Sequence, residues 1–561
     1  MFDYKYDFSI VMGYYNRKTQ VKFTLDDFEE KYKDYKFEVI IIDDNSNEEH
    51  KLHDIIKNYS FPITYNVISK IEKGSRINPC SVYNKGFRLA QGKYVFIQNP
   101  ECCHIGNLFE YITNNQPERE YLAFSCYNIS IEKLMPQFYA NPKIITDQLF
   151  GQINRQFGVE WYNHPEFRSV HFHFCAVIKN DYLRLLGGFD EKFKDGYWFD
   201  DNEILMSIKY NLGLEVKTID PKHGMVVHQY HKRDSENTLS KYELERRKNN
   251  NKNLFENMLE NHRQYNFKYP KLLHLYWDGS PLSYLNLCTV LSFNKYNAFW
   301  KINIYLPKNP NTERTWLIVD PEEEYKGKDY FNELKKISNV NIHYIDFDLT
   351  NFQFKDANEI IKSDYLKYYI LNKFGGVWSD FDIIFQKSIE ETYNQKKMDI
   401  SNNQIQDKKI IFYHYRDIKI NNVIIPSGLF ISIPSNSLLQ CLLNNYHEFY
   451  DKSNYQCLGS NMLTNLVFNV NCKKMASNIN NNELQIDSAN MYLPIKWYEV
   501  EKYYNKNYFN FKYNALGFHW FNNSKESSSY INNLKNKNIK HWVNECLMDK
   551  LISQYFNICP M

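Results

Sequence analysis

The sequence predicts an α/β protein with two domains, each built on a Rossmann-like, mostly parallel sheet, joined by a helical linker. The chain has 561 residues, more than one hydrophobic core usually spans. Short β-rich runs alternate with helical patterns in two separate regions, as in the βα units of parallel sheets. A charged, Asn-rich stretch lies between them, so we predict domains at residues 1–231 and 269–561, with residues 232–268 as the linker.

Each domain is predicted from its own series of strands. In the linker, weak helical periodicity over residues 242–259 predicts a helix, and a cap on one domain is the alternative to a free linker. The runs predicted as strands are residues 8–12, 37–42, 94–97 and 171–178 in the first domain and residues 272–277 and 301–306 in the second.

The composition excludes several classes of protein. Hydrophobic residues make up 43% and charged residues 24% of the chain, as in folded globular proteins. The formal net charge of +2 provides no basic field for a phosphate backbone, so no nucleic acid partner is expected. There is no apolar run of transmembrane length and no signal-peptide pattern, and the 11 cysteines form no C-x-x-C pair. We therefore expect a cytoplasmic protein with reduced thiols.

Two acidic residues, Asp43 and Asp44, follow one of the predicted strands. The carboxyl ends of parallel strands are where α/β folds bind ligands, and a carboxylate there accepts hydrogen bonds from a uracil N–H or a ribose hydroxyl. A turn or a helix cap is the alternative for such a pair. Further motifs follow in order, namely N-P-E at residues 99–101, G-G-F-D-E at residues 187–191 and D-D-N-E at residues 200–203.

With these motifs, residues 7–231 resemble family 2 glycosyltransferases, which are inverting enzymes of the GT-A fold. The resemblance implies that Asp43 and Asp44 hold the uridine of a nucleotide sugar. It implies that the stretch from residue 99 replaces the usual D-x-D metal motif. Because residue 99 is neutral, that loop offers one anionic ligand, and metal-free catalysis is left open. The other residues assigned to the donor are Tyr14, Arg17 and Asn99.

The same resemblance implies the chemistry of the first domain. An inverting transfer needs a carboxylate that takes the acceptor proton, and Asp201, with Asp200 beside it, is the implied catalytic pair. A helix start stabilised by its dipole is the alternative for these two acids. In the related β-1,4-galactosyltransferases a downstream histidine completes the metal site, which implies that His228 or His231 joins Glu101 as a ligand.

A second set of motifs lies in the second domain. The pattern around Asp364 predicts a helix, which the glycines at residues 375–376 are placed to end. The run V-W-S-D-F-D-I-I-F follows at residues 377–385. If this run is one extended strand, Asp380 and Asp382 project from the same face, because strand side chains alternate. Two such carboxylates repel each other unless a cation lies between them.

In this order the motifs resemble the sugar-binding region of family 32 glycosyltransferases, which are retaining GT-A enzymes, over residues 271–520. The resemblance implies that Asp364 binds the donor sugar or ribose, that Asp380 contacts ribose and metal, and that Asp382 ligates the metal. Lys367 stands where the family usually has arginine, so the charge is kept and the bidentate fork is lost. No protein base is implied. The remaining residues assigned to donor and metal are Trp277, His519 and Trp520.

Together the resemblances imply a bifunctional glycosyltransferase of the hexosyltransferase class with two active sites. The expected donors are UDP-sugars, the expected cofactor is Mn²⁺ or Mg²⁺, and the expected acceptor is a glycan, a glycoprotein or a glycolipid. A homo-oligomer is possible. One alternative keeps a single catalytic domain beside a degenerate acceptor-binding domain. Another is a carbohydrate-binding or scaffold protein that turns over no donor.

Overall fold

The computed structural model describes residues 3–142, 159–232, 239–264, 267–310, 325–399, 409–417, 421–468, 484–488, 492–510, 514–534 and 542–558. The chain divides into two compact units between Glu260 and Asn261, inside the segment predicted as a linker. Residues 233–238 and 265–266 of that segment lie outside the described residues. In the described part of the chain, no helix has the length and apolar character needed to cross a bilayer.

The first unit is built on a ten-stranded mixed sheet. Its strands are β1 (Tyr6–Tyr14), β2 (Phe37–Asp43), β3 (Ile63–Val67), β4 (Gly92–Gln98), β5 (Cys102–Ile105), β6 (Glu120–Ile129), β7 (Val159–Asn163), β8 (Cys175–Lys179), β9 (Glu215–Ile219) and β10 (Met225–His228). The helices are α1 (Lys18–Lys31), α2 (Lys70–Lys73), α3 (Cys80–Leu89), α4 (Leu108–Asn115), α5 (Met135–Ala140), α6 (Asn180–Leu186), α7 (Asp200–Tyr210) and α8 (Lys241–Gln264).

The strand order of this sheet is β3-β2-β1-β4-β8-β6-β10-β5, with β7 and β9 also paired to β6. Strands β3, β2, β1 and β4 run parallel, whereas β8 is antiparallel to β4 and β6. The carboxyl ends of the parallel strands therefore meet at one edge of the sheet, where Tyr14, Asp43 and Gln98 are the last strand residues. This edge carries the predicted donor motifs.

Much of the first core consists of aromatic rings. The ring of Phe109 stacks on Phe8 with centroids 4.2 Å apart and on Tyr32 with centroids 4.0 Å apart. Phe37 contacts the Phe109 ring edge-on, and Phe96 contacts it at a tilt. Packed aromatic pairs of this kind add to the hydrophobic contribution of their buried area.

The second unit has an eight-stranded mixed sheet and a separate two-stranded sheet. The strands are β11 (Leu272–Tyr276), β12 (Lys301–Pro307), β13 (Val340–Ile345), β14 (Gly376–Ser379), β15 (Ile383–Phe385), β16 (Ile410–Asp417), β17 (Asn422–Ile424), β18 (Leu429–Ser432), β19 (Leu484–Ser488) and β20 (Gly517–His519). The helices are α9 (Tyr284–Tyr296), α10 (Phe331–Leu334), α11 (Glu359–Phe374), α12 (Ile389–Asp399), α13 (Ser437–Phe449), α14 (Ser460–Phe468), α15 (Lys525–Leu534) and α16 (Leu547–Ser553).

The large sheet has the order β13-β12-β11-β14-β18-β16-β17, and β19 pairs with β16. Strands β13, β12, β11 and β14 are parallel and β18 is antiparallel to β14, so this sheet repeats the arrangement of the first. Strands β15 and β20 form the two-stranded sheet. The predicted α/β class is confirmed, with one large mixed sheet in each unit.

Helix α11 ends at the predicted glycines. Gly375 and Gly376 have φ of +70° and +105°, a region that side chains rarely adopt. A Cβ on Gly376 would lie 2.6 Å from the carbonyl oxygen of Leu272. Two glycines are therefore needed to turn the chain from α11 into β14 directly beside β11.

Candidate active sites

The two acids after β2 lie at the carboxyl edge of the first sheet, and both are held by neighbouring groups. Asp43 is fully buried, accepts a hydrogen bond from Ser46 N at 2.7 Å and is also bonded to the Tyr65 hydroxyl. Asp44 is paired with Arg76, and Lys73 Nζ lies 3.6 Å from its carboxylate. Burial outweighs both cations and raises the pKa of Asp44 above its ordinary value.

The ring of Tyr14 lies at this edge but is buried in the core. Its hydroxyl donates to the carbonyl oxygen of His50 at 2.6 Å. Burial raises the pKa of this hydroxyl above its ordinary value. Tyr14 is thus placed at the donor motifs, with its polar end already bonded within the protein.

One carboxylate, Glu101, gathers three basic side chains around it. His228 Nε2 lies 3.1 Å and His231 Nε2 lies 3.4 Å from its Oε1, while Arg17 Nη1 lies 3.3 Å from its Oε2. One ligand atom from each of the acid and the two histidines lies within 4.8 Å of the others, so these three side chains could hold a metal ion. Both histidines that the sequence offered as alternatives are therefore beside the predicted acid.

The protonation of this cluster suits cation binding. Burial would raise the pKa of Glu101, but the charge of Arg17 and the hydrogen bonds from both histidines hold it well below the ordinary value. Burial lowers the pKa of His228, which keeps its imidazole neutral and able to ligate. The guanidinium of Arg17 adds a positive charge beside the same carboxylate and therefore weakens the binding of any cation there.

The predicted catalytic acids begin α7. Asp201 is 34% exposed, and its Oδ1 lies 2.6 Å from Nδ1 of the buried His173. Asp200 is buried and accepts a hydrogen bond from Asn78 Nδ2 at 3.0 Å. Burial and the nearby charge of Asp201 raise the pKa of Asp200 to about 6. Of the two acids, Asp201 is the one open to a substrate.

Tyr83 connects the end of β4 and Asn99 with His173, the partner of Asp201. Its hydroxyl lies 3.1 Å from both Asn99 Oδ1 and the carbonyl oxygen of Gln98. Its ring packs edge-on against His173, with centroids 5.2 Å apart. Asn99 is thus oriented by a tyrosine on α3 and is absent from the acid–histidine cluster.

In the second unit, the D-x-D motif lies in a turn between strands. Strand β14 ends at Ser379 and β15 begins at Ile383, so Asp380 and Asp382 are not on one continuous strand. The backbone N–H of Asp380 donates to Gly428 O at 2.7 Å, and the carbonyl of Asp382 accepts from Trp520 N at 2.9 Å. The expected convergence of the acids is therefore produced by a tethered turn rather than by strand alternation.

Lys367 joins the helix acid to the turn. Its Nζ lies 2.6 Å from Asp364 Oδ1 and 3.8 Å from Asp380 Oδ1, and it donates to Ser427 O at 3.2 Å. Burial alone would lower the pKa of Lys367, but the two carboxylates raise it. Burial raises the pKa of Asp364 despite the ammonium. Lys367, at the position where an arginine is expected, is thus a buried cation between Asp364 and Asp380.

The other end of the turn meets β20. His519 Nε2 lies 3.0 Å from Asp382 Oδ1, and Asn522 N donates to Asp382 Oδ2 at 2.9 Å. Burial would raise the pKa of Asp382, but His519 and this N–H lower it. Asp380, Asp382 and His519 each offer a ligand atom within 4.8 Å of the others.

Two tryptophans flank this turn. Trp520 is fully buried, and within the described residues its indole N–H has no hydrogen-bond acceptor. The indole of Trp277 packs against Phe381 of the D-x-D turn, with centroids 5.3 Å apart, and its N–H donates to Ser280 O at 2.7 Å. The structure thus brings together the side chains of Asp364, Lys367, Asp380, Asp382 and His519, while Trp277 packs beside the turn and Trp520 is bonded to it through its backbone N–H.

The donor atoms of the two clusters fit divalent cations of different character. Asp380, Asp382 and His519 supply two carboxylates and one imidazole, a set that suits Mg²⁺ or Mn²⁺. Gly428 leaves room beside them, because a Cβ there would lie 2.9 Å from Asp380 Oδ2. The cluster at Glu101 has two imidazoles and one carboxylate, which favours Mn²⁺ over Mg²⁺.

His173, Tyr83 and Gly428 are among the site residues that were not predicted from the sequence. His173 and Tyr83 surround the acids on α7, and Gly428 faces the D-x-D turn. His173 lies in the run predicted as a strand, but β8 begins only at Cys175, so this histidine belongs to the preceding loop. Each residue contacts a partner that is distant in the chain, and such a contact cannot be predicted from the spacing of nearby residues.

Three family models match parts of the chain. The model described as glycosyl transferase family 2 matches residues 9–174. The model described as the glycosyltransferase sugar-binding region containing the DXD motif matches residues 308–399. The model described as the alpha 1,4-glycosyltransferase conserved region matches residues 433–554. No curated protein matches the chain in sequence.

Solved structures with partial similarity include two of S. aureus TarS. The first is 12% identical, with a TM-score of 0.29 over 40% of this chain and 37% of that chain. TarS 1–349 in complex with UDP-GlcNAc is 11% identical, with a TM-score of 0.29 over 42% of this chain and 61% of that chain.

A third is the mannosyltransferase PcManGT from Pyrobaculum calidifontis in complex with GDP-Man and Mn2+. It is 16% identical, with a TM-score of 0.26 over 42% of this chain and 61% of that chain. The match thus spans less than two thirds of each of these three proteins.

The family models fall on the two units as the motifs predict. The family 2 model covers the parallel strands β1, β2, β3 and β4 with their acids. The DXD model covers α11 and the turn that holds Asp380 and Asp382. Both resemblances are confirmed, because the first half of the chain contains a match to the glycosyl transferase family 2 model and the second half contains matches to the DXD sugar-binding and alpha 1,4-glycosyltransferase models.

Proposed function

We propose that the chain is a bifunctional glycosyltransferase that uses UDP-sugar donors at one site in each unit. One observation carries this proposal. Each unit has its own cluster of acid and histidine side chains beside the ends of parallel strands, around Glu101 in the first unit and around Asp382 in the second. Two clusters are what a protein with one transfer site in each unit would have.

In the first unit we assign Asp201 as the general base of an inverting transfer. The acceptor hydroxyl attacks the anomeric carbon from the face opposite the diphosphate, and its proton passes to the carboxylate of Asp201. The exposed fraction of Asp201 and the contact with His173 at 2.6 Å support this role. Asp200 is less suited, because it is buried and bonded to Asn78.

In the second unit we assign a retaining transfer in which the side chains bind and orient the donor. Asp364 and Asp380 are proposed to contact the donor sugar and ribose, and Lys367 fixes both carboxylates. The departing phosphate takes the acceptor proton on the same face, so no protein base is required. The buried, unpartnered indole N–H of Trp520 supports a place for a donor oxygen there, within the described part of the site.

We propose Mn²⁺ as the cofactor of both sites, with Mg²⁺ as the alternative in the second. The ligands would be Glu101, His228 and His231 in the first unit and Asp380, Asp382 and His519 in the second. When bound, such a cation supplies positive charge that stabilises the diphosphate leaving group.

A second candidate function is favoured by the contact between Arg17 and Glu101. This cation already neutralises the acid of the first cluster, and Asn99 adds no charge. In this case the second unit alone transfers sugar, and the first binds the acceptor glycan. This candidate predicts that Asp201→Asn leaves every transfer intact and that Asp382→Asn removes all of them.

The test measures UDP release by the full-length protein with Mn²⁺ from UDP-glucose, UDP-galactose and UDP-N-acetylglucosamine. We expect Asp201→Asn and Asp382→Asn to abolish different transfers. Asp195→Asn and Asp356→Asn, which change exposed carboxylates, are the matched controls. Loss of every transfer from either site variant alone contradicts the two-site proposal.

We also propose a reducing, cytoplasmic setting and an acceptor that is a glycan, free or carried on protein or lipid. Thiol titration of the native protein tests the first point and an acceptor panel the second. Size-exclusion chromatography tests the expected homo-oligomer. Among the described residues, the free thiols that support a reducing compartment include Cys80, Cys102, Cys103, Cys126, Cys175 and Cys457.

A further inference from the structure

We propose that helix α8 is part of the first active site and that Asn251 on it is a positioning residue for the base Asp201. The proposal rests on the function proposed above, in which Asp201 takes the acceptor proton. The sequence predicts this segment as a linker. Side chains on one face of the helix contact the residues that surround the first site.

The chain enters α7 through a strained turn. Trp198 and Phe199 have φ of 62° and 66°, so two consecutive large residues are in the left-handed region. A non-glycine residue in this region is strained and persists only where its surroundings fix it. Asp200 and Asp201 are the first two residues of α7, so this turn sets where both carboxylates lie.

Asn251 on α8 makes hydrogen bonds to the backbone of this turn and of the loop before it. Its Nδ2 donates to the carbonyl oxygen of Trp198 at 2.8 Å and to that of Phe193 at 3.1 Å, and the residue is 3% exposed. Gly196 makes room for it, because a Cβ there would lie 1.9 Å from Asn251 Oδ1. The Asn251 amide thus fills the space that a side chain at residue 196 would need. It also links the carbonyl groups of Phe193 and Trp198.

The neighbours of Asn251 on the same helix face extend the contact. Residues four apart on a helix lie on one face. Arg247 donates to Ser75 O at 2.7 Å, and the ring of Phe255 packs on Phe199 with centroids 5.8 Å apart. Ser75 precedes Arg76, which is paired with Asp44. One face of α8 therefore joins the loop on the donor side to the turn that carries the base.

The first test measures hydrogen exchange by mass spectrometry in the full-length protein. Asn251→Ala removes both hydrogen bonds, and Gly196→Ala displaces the amide from the other side. Amides of residues 198–203 should exchange at least about tenfold faster in both variants, and at the wild-type rate in Asn250→Ala, an exposed neighbour on α8. Unchanged exchange in both variants would overturn the proposal.

The second test measures UDP release from the three UDP-sugars with p-nitrophenyl glycosides as acceptors. For the transfer that Asp201→Asn abolishes, kcat should fall about 10- to 100-fold in both variants, since small misplacements cost about this much, with donor KM within about threefold. The transfer that Asp382→Asn abolishes should be unchanged. A wild-type kcat, or a KM that rises as much as kcat falls, would overturn the positioning role.

The two tests separate this inference from the proposed function. If Asp201→Asn leaves every transfer intact, the proposed function has failed, and hydrogen exchange alone shows whether Asn251 fixes the turn. If Gly196→Ala does not fold, Asn251→Asp takes its place, because it keeps the side-chain size and removes the amide donor.

Discussion

The imidazole of His173 and the carboxylate of Asp201 form a close pair, with Nδ1 and Oδ1 2.6 Å apart. Burial alone would lower the pKa of His173, but the charge of Asp201, the hydrogen bond to it and the charge of Asp200 raise it. The histidine therefore keeps its proton to a higher pH than in solution and fixes one oxygen of the proposed base.

We expect His173→Phe to lower kcat of the Asp201-dependent transfer by about 10- to 100-fold, because a mispositioned general base loses most of its contribution. His173→Gln, which keeps an N–H donor without the charge, should lose less. Steady-state UDP release measures both, with His53→Gln, an exposed histidine, as the control. A wild-type kcat in the Phe variant would contradict the role of the pair.

The buried carboxyl of Asp200 should make the first unit less stable as the pH rises. Its folded pKa of about 6 lies above the ordinary value of 3.8, so the folded state binds more protons between these values and loses stability from about pH 4 to pH 6. Asp200→Asn removes this loss. At pH 7 the gain should be on the order of 3 kcal/mol at 1.36 kcal/mol per pKa unit.

Differential scanning calorimetry between pH 4 and pH 8 measures this effect as the melting temperature of the transition in which the first unit unfolds. The variant should melt at a higher temperature than the wild type at pH 7, and the difference should shrink at pH 4. Asp195→Asn, an exposed acid in the preceding loop, should show no such dependence. A pH-independent difference would show that ionisation of the Asp200 carboxyl is not its cause.

Arg17→Gln should strengthen cation binding at the first cluster. Because Arg17 is also assigned to the donor, the same change should weaken donor turnover. The guanidinium lies 3.3 Å from Glu101 Oε2, and its removal frees that carboxylate for a cation. We expect the Mn²⁺ dissociation constant to fall about three- to tenfold, an order-of-magnitude figure for the loss of one partly exposed charge. Calorimetric titration in an Asp382→Asn background isolates the first site. Weaker Mn²⁺ binding in Arg17→Gln would show that the arginine supports the site.

Gly428→Ala should impair the second site while the fold is kept. A Cβ there would lie 2.9 Å from Asp380 Oδ2, so this proposed ligand has to move, and it would also contact His519 Cε1 at 3.4 Å. We expect transfer at this site to fall at least about tenfold, with Asp201-dependent transfer unchanged. UDP release at several Mn²⁺ concentrations measures the change. Wild-type activity at low Mn²⁺ would contradict the assignment of these ligands.

The fold and the second site follow from local patterns to a large extent. Alternating β-rich runs predict β1, β2, β4, β11 and β12 to within a few residues, because buried parallel strands are continuous apolar runs. The D-x-D motif identifies its two acids, but residues 377–385 do not form one strand. Periodicity alone cannot show a turn at Phe381, which is set by the bonds from Gly428 and Trp520.

The contacts of the first site are harder to predict. His173 and Asn251 each meet α7 or its entry turn from segments distant in the chain. Such pairings depend on the folded path of the backbone, whereas the sequence shows only the polarity of each segment. The Asn-rich composition of α8 is typical of a solvated helix, and the buried face that includes Asn251 is a small part of it.

The pairing of β15 with β20 has a consequence for the order in which the second unit assembles. Ile383, directly after the D-x-D turn, is opposite His519, so the last ligand arrives on a strand that is made well after the turn itself. A growing chain has no complete second site until β20 has joined β15. A cation bound between Asp382 and His519 would then act as a late cross-link, and its binding free energy would add to the stability of the finished unit.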